Sequence, residues 1–381
     1  MLIRQVDEPD AFFAAYDAAK EAHVQALLAR ADVNALLNIA GLVAQQMGGQ
    51  NCHLDISFED GVVWIARLRL EEPTVPPFGT RQRIFASEVN TLRFLAQTSV
   101  PVPEVFYYTS EPRLIGTPFM LMEKMPGEPL QWSEATAQQR TKNLEQLVDV
   151  FLELEKYPLP ATGSLSSETG RIGQYAQARL FATPSRSIGP FQSLEQALTS
   201  ISEHEMTMIE SGELSTLAAD NYLTQLWRLD RAPDLVKGIT DDSFYLKHFD
   251  DKGDHILSRP SAFSSPCMLW PVGEFYEGKN QLSTEEIQFA DMFRQRGRED
   301  IAQLILKGRK FQRFSFFLGS AVPAEREESE ALFQGLRKAV DDQDTGSYLE
   351  WRNAAIARVS ESDPILKRLL RAEEPPRQDS R

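Results

Sequence analysis

The sequence predicts an α+β fold in two lobes: a small N-terminal lobe with an antiparallel sheet plus a helix, and a large, mainly helical C-terminal lobe. Three observations predict it. The chain has 381 residues, more than one core of ordinary size needs. Short β-branched and aromatic runs cluster before residue 125, and a period near 3.6 dominates after Pro126-Gly127. The expected division is 1–125, 126–372 and a polar, proline-containing tail at 373–381 that frays.

Within residues 11 to 47, Phe12, Phe13, Tyr16, Val24, Leu27, Leu28, Leu36, Leu37, Ile39 and Leu42 recur at spacings of three and four, which predicts one or two amphipathic helices. Gly48-Gly49-Gln50-Asn51 then punctuates the chain. Two β-rich runs follow, Cys52 to Phe58 and Val62 to Leu70, split by the turn signal Glu59-Asp60-Gly61. Glu71 to Gly79, with three prolines, reads as a loop. Ser87 to Gln97 reads as a helix with Val89, Leu92 and Leu95 on one face, ended by Pro101 and Pro103. Residues 104–109 and 118–124 predict two more strands. Beyond the boundary, helical periods run through 144–154, 192–229 and 284–306.

Hydrophobic residues at 42% and charged residues at 25% describe an ordinary globular chain, and a net charge of −15 argues against a nucleic-acid or anionic-membrane partner. The opening MLIRQVDEPD lacks a secretory pattern, and no apolar stretch reaches spanning length, so a cytoplasmic location is expected. Cys52 and Cys267 form neither a disulfide framework nor a zinc motif.

The strongest chemical signal is His248-Phe249-Asp250-Asp251-Lys252-Gly253-Asp254-His255. It has the spacing of a kinase catalytic loop, H-x-D-x-x-x-x-N, with His255 in the final place. In such a loop the aspartate takes or orients the acceptor hydroxyl's proton, which makes Asp250 the candidate base and His255 the candidate at the metal position. An acidic surface turn is the plainer reading of the same residues. Two companions stand upstream in the required order. Arg67 ends the strand motif Trp64-Ile65-Ala66-Arg67, and Glu88 opens the next helix. An Arg67–Glu88 ion pair would set a cation against nucleotide phosphates. Arg67 as a strand residue snorkelling to solvent, or Arg69 in its role, remain open alternatives. Gly48 and Gly49 would let backbone amides approach phosphate oxygens, or form an ordinary turn. The run Pro118 to Gly127 is an apolar strand whose last backbone groups, Glu123 to Met125, would face an adenine edge, or a plain core strand.

With these residues in view the chain resembles the aminoglycoside phosphotransferase and choline kinase family, within the protein kinase-like superfamily. The resemblance runs through Ser87-Glu88-Val89, Pro101-Val102-Pro103-Glu104-Val105, Gly116 to Glu123, Pro126-Gly127 and the Phe244 to His248 lead-in. Phe263-Ser264-Ser265-Pro266, Leu269-Trp270-Pro271-Val272 and Gly308 to Phe314 extend it, so that it covers about residues 33 to 357. It implies a kinase-like fold, ATP, magnesium, a small-molecule hydroxyl acceptor and a cleft between lobes.

The chain departs from that pattern after the loop. Relatives continue through a strand and turn reading roughly I-I-D-W-E, whose aspartate binds metal. Here Leu257 runs into Ser258-Arg259-Pro260, and no aspartate recurs before Asp291. The chain therefore resembles a degenerate member, lacking the carboxylate that counters the transferring phosphoryl group. A true deletion and a segment lost in gene assignment are both open. Glu274 and Glu277, just after the gap, are candidate replacements. Two functions follow: ATP-dependent transfer to a small-molecule hydroxyl, or a catalytically inactive pseudokinase serving as a nucleotide-binding or interaction scaffold.

Overall fold

The computed structural model describes residues 18, 21–22, 25–27, 29, 43–47, 51–69, 78–127, 131–176, 188–239, 242–247, 255–316, 325–341 and 346–373. Contacts divide the chain into two compact units, Met1–Leu130 and Gln131–Arg381.

The first unit holds strands β1 (Val43–Met47), β2 (Asn51–Ser57) and β3 (Val63–Arg69), helix α1 (Phe78–Leu95), then β4 (Val105–Thr109) and β5 (Phe119–Glu123). The strands form one antiparallel sheet in the order β1-β2-β3-β5-β4. Period-two burial along β2 and β3 turns Cys52, Leu54, Ile56, Ala66 and Leu68 to one face, where Leu27 packs against them. On the other face Phe85 and Val89 of α1 pack on Met120. The early helical expectation holds for Leu27 and its described neighbours, which are helical.

It fails for residues 43–47, which are strand: Val43 pairs with Ile56 and Met47 with Cys52. Pairing of all five residues with Cys52 to Ile56 of β2 overrides a helical spacing that ends there. Helix α1 also begins nine residues before Ser87, at Phe78, where a loop through Gly79 was expected. Burial explains the difference, because Thr80 and Phe85 extend the packed stripe of Val89 toward the N-terminus.

The second unit is mainly helical. Helix α2 (Ala137–Leu154) starts with a capping box, Thr136 accepting from the Gln139 amide while the Gln139 side chain accepts from the Thr136 amide. Two short strands, β6 (Ser164–Leu165) and β7 (Ile172–Gly173), pair before α3 (Leu194–Glu210) and α4 (Ala218–Val236). Strands β8 (Phe244–Lys247) and β9 (His255–Ser258) form a hairpin that leads straight into α5 (Arg259–Ala262). Then come α6 (Val272–Tyr276), α7 (Thr284–Gln295), α8 (Glu299–Leu306), α9 (Arg309–Phe316), α10 (Arg326–Val340), α11 (Tyr348–Val359) and α12 (Pro364–Glu373). The helical period read through 284–306 is broken at Gly297, whose φ of 73° turns the chain between α7 and α8. The core at this end is aromatic: Phe151 meets Phe289 at 5.4 Å and Phe263 at 6.1 Å between ring centroids. A small antiparallel-sheet unit followed by a larger helical unit is the α+β class expected from the sequence.

Candidate functional site

The site in the first unit starts from strand register. Arg67 on β3 lies opposite His53 on β2 and Met120 on β5. Partners across a ladder share a face, so Arg67 lies on the face that α1 covers. On α1, Phe85, Glu88, Val89 and Leu92 recur at three, one and three residues, which puts a carboxylate in the packed stripe. Glu88 and Arg67 form an ion pair there, with side chains 21% and 22% exposed. Asn51, at the start of β2, is diagonal to Arg67. With its carboxamide oxygen turned to the guanidinium, it accepts from Arg67 Nε at 3.2 Å and Nη2 at 2.9 Å. Burial, and then the Arg67 charge, lower the His53 pKa below its usual 6.5, which favours a neutral imidazole beside the guanidinium.

Gly48 and Gly49 lie outside the described residues, in the sequence joining β1 to β2, whose ends pair as Met47 with Cys52. At the other end of the sheet, the Glu123 amide donates to the Glu104 carbonyl at 2.8 Å, and the Glu104 amide donates to the Glu123 carboxylate at 3.2 Å. These bonds tie β5 to the start of β4. Met125, two residues on, is 41% exposed.

In the second unit, Asp250 lies outside the described residues. The backbone of His255 is described, opposite Lys247 in the β8–β9 ladder. The seven residues 248–254 therefore connect two antiparallel strands, the second of which passes into α5 with nothing between Ser258 and Arg259. Arg259 is held at once, donating to Glu155 at 2.7 Å and Asp300 at 2.6 Å. Among the described residues no three His, Cys, Asp or Glu side chains converge as a metal requires. Glu277, one of the two candidate replacements, pairs with Lys279 at 2.7 Å.

Sequence reasoning passed over Lys247, which precedes His248. It is 2% exposed, and its ammonium donates to the Ser261 carbonyl at 3.0 Å, the Ser264 carbonyl at 2.7 Å and Ser264 Oγ at 2.9 Å. Burial pulls its pKa down to about 7. The signal was legible: a lysine ending the run Phe244-Tyr245-Leu246 has to bury its head or break the pattern. Ser265 continues this network, donating through Oγ to Glu286 at 2.5 Å and accepting from Gln312 at 2.7 Å.

Residues 59–232 match the family model described as the phosphotransferase enzyme family, a span that includes Arg67 and Glu88 and stops before Asp250. None of the curated proteins matches the chain in sequence. Among solved structures, the chain is similar to a proposed aminoglycoside phosphotransferase from Ralstonia eutropha at 13% identity and a TM-score of 0.46, over 82% of this chain and 99% of that one. It is similar to a proposed fructosamine-3-kinase from Thermobifida fusca at 13% identity and a TM-score of 0.42, over 79% and 93%. The ethanolamine kinase of Plasmodium vivax aligns at 10% identity and a TM-score of 0.44, over 86% and 84%. Scores this low leave the fold resting on the sheet and helices themselves. The similarity in sequence to the phosphotransferase enzyme family is confined to residues 59–232.

Proposed function

We propose that the chain binds ATP through its first unit and transfers a phosphoryl group to a hydroxyl of a small molecule, with Asp250 taking the hydroxyl proton. The Arg67–Glu88 pair carries this reading. With a fifth of each side chain still in water, the ion pair is expected to stabilise the fold by only about 1 kcal/mol, so stability gives little reason to set a carboxylate among the packing residues of α1. Holding a guanidinium steady against phosphate oxygens gives one. ATP, when bound, supplies the phosphoryl group; Arg67 binds and orients it, Glu88 fixes Arg67, and Gly48, Gly49, Glu123 and Met125 are the proposed backbone contacts.

Magnesium fits less well. It seeks oxygen donors, and the loop position that relatives fill with asparagine holds His255. A cytoplasmic location accompanies this reading, as does the lack of a nucleic-acid or membrane partner. The net charge of −15 supports the latter, and no described helix is long and apolar enough to cross a membrane.

A second reading, a non-catalytic nucleotide-binding or interaction scaffold, is favoured by one observation. Strand β9 enters α5 directly, with Ser258 and Phe263 buried on either side of the helix, so the chain has no residues there for an aspartate-bearing strand and turn.

Thermal melting of the purified chain with ATP and magnesium tests the shared claim, since a ligand that binds only the folded state raises the melting temperature. No shift at millimolar ATP removes nucleotide binding from both readings. A shift with transfer of labelled phosphate to members of a hydroxyl library, lost in Asp250→Asn while the shift persists, supports the first. A shift without transfer supports the second. The transcript across codons 257 and 258 decides whether an I-I-D-W-E segment belongs there.

A further inference from the structure

Arg67 is held along two edges. Glu88 accepts from Nη1, and Asn51 accepts from Nε and Nη2 along the guanidinium's side. A guanidinium carries five N–H donors in one rigid plane. Among the described residues these contacts engage three of them, leaving one N–H on each terminal nitrogen. A lysine at 67 has a single nitrogen on a flexible stem and no planar edge, so Asn51 would have nothing to align. His53, directly opposite, is biased toward the neutral form by burial and by Arg67 itself, which avoids a second cation against the fork.

We propose that Asn51 is a positioning residue that makes Arg67 a preset two-pronged clamp for two oxygens of a nucleoside polyphosphate. The inference rests on the ATP-binding reading above and adds to it the reason an arginine serves at this strand position. Asn51 touches no ligand; it acts through the plane of the guanidinium. Two N–H groups fixed in that plane match a pair of phosphate oxygens without the ordering cost a free side chain would meet on binding.

The test is a double-mutant cycle on the full chain, read by calorimetric titration with ATP and magnesium and by hydrogen exchange of the Arg67 Nε–H in nitrogen-15 NMR spectra. Losing one charge-assisted contact that orients the clamp is expected to raise the ATP dissociation constant about tenfold in Asn51→Ala. The same change in an Arg67→Lys background is expected to alter affinity by less than about twofold, since the two residues act as one unit. Arg67 Nε–H exchange quickens in Asn51→Ala and stays slow in Asn51→Asp, whose carboxylate still accepts along that edge. Unchanged ATP affinity in Asn51→Ala overturns the proposal. So does an equal loss in both backgrounds, or exchange in Asn51→Asp as fast as in Asn51→Ala. Failure of the unaltered chain to bind ATP overturns the nucleotide reading itself, and is told apart because it is seen before any variant is made.

Discussion

Glu286 and Arg309 meet at 2.7 Å with side chains 0% and 7% exposed, a carboxylate and a guanidinium that both lie away from water. Glu286 serves three neighbours. It accepts from Arg309, from Ser265 Oγ at 2.5 Å and, in the capping box of α7, from the Ser283 amide at 2.8 Å. Removing one member of a buried pair strands the other's charge, a loss of about 3–5 kcal/mol. Glu286→Ala is therefore expected to lower the unfolding free energy by about 3–5 kcal/mol, seen as a lower urea midpoint. Glu286→Gln, which keeps an acceptor oxygen, should lie between it and the unaltered chain. Equal midpoints for all three proteins would show that Arg309 finds water or another partner.

Lys247 should make stability depend on pH. Its folded pKa is pulled down to about 7 by burial, against 10.5 in the unfolded chain. Between those values the unfolded chain binds more protons than the folded one, so this group's contribution to stability rises as pH increases from about 7 to 10.5. Neighbouring groups titrate as well, which a comparison with Lys247→Met subtracts. That variant cannot donate to the Ser261 and Ser264 carbonyls and is expected to be less stable at every pH by about 1–3 kcal/mol for the buried acceptors it strands. The gap between the two proteins, followed by denaturant midpoints, should widen from pH 7 to pH 9. A constant gap would mean that the serine carbonyls hold the ammonium charged throughout.

Gly335 in α10 tests the packing around Arg313. A Cβ at 335 would lie 2.6 Å from Arg313 Cζ and 2.8 Å from the Gly278 Cα, so relief would require moving a backbone or a fully buried guanidinium. Arg313 cannot yield easily, because it donates to the Phe275 and Lys279 carbonyls at 3.0 and 2.7 Å and lies over the Phe275 ring at 4.1 Å. Alanine in mid-helix normally gains up to about 1 kcal/mol over glycine. Overpacking here costs about 1–3 kcal/mol and should reverse the sign. Gly335→Ala is expected to melt lower than the unaltered chain. Gly273→Ala, where nothing lies within 4 Å, should not.

The sequence carried the class of the fold because its two periodicities separate cleanly. Period two in Cys52 to Phe58 and Val62 to Leu70 matches β2 and β3, and Leu144, Val148 and Phe151 lie on the buried stripe of α2. It misled at residues 43–47, because whether a short run such as Val-Ala-Gln-Gln-Met pairs as a strand depends on a neighbour, here β2, that local spacing does not encode. The Arg67–Glu88 contact was legible for the opposite reason: a strand cation and a helix carboxylate are recognisable by type and order. Asn51 gripping the same guanidinium was not, since it follows from the diagonal register of β2 on β3. Lys247 was hidden by the strength of the His248–His255 motif beside it.

The last expectation separates what the Arg67–Glu88 pair does for the fold from what it does for a ligand. The two side chains are each about a fifth exposed, so solvent screens their attraction, and either single neutralisation should change unliganded stability by no more than about 1 kcal/mol. ATP at a hundredfold over its dissociation constant should add about 2.7 kcal/mol of apparent stability to the unaltered chain. Arg67→Ala removes the cation outright and should abolish most of the ATP-induced rise in melting temperature. Glu88→Gln keeps a hydrogen-bond acceptor and should retain part of it. Exchanging the two, Arg67→Glu with Glu88→Arg, restores an ion pair but moves the positive charge from β3 to α1, away from Asn51. Its unliganded melting temperature should stay near that of the unaltered chain while the ATP response is lost. Recovery of the ATP response in the exchanged protein would mean that the pair serves the fold alone and that phosphates are gripped elsewhere.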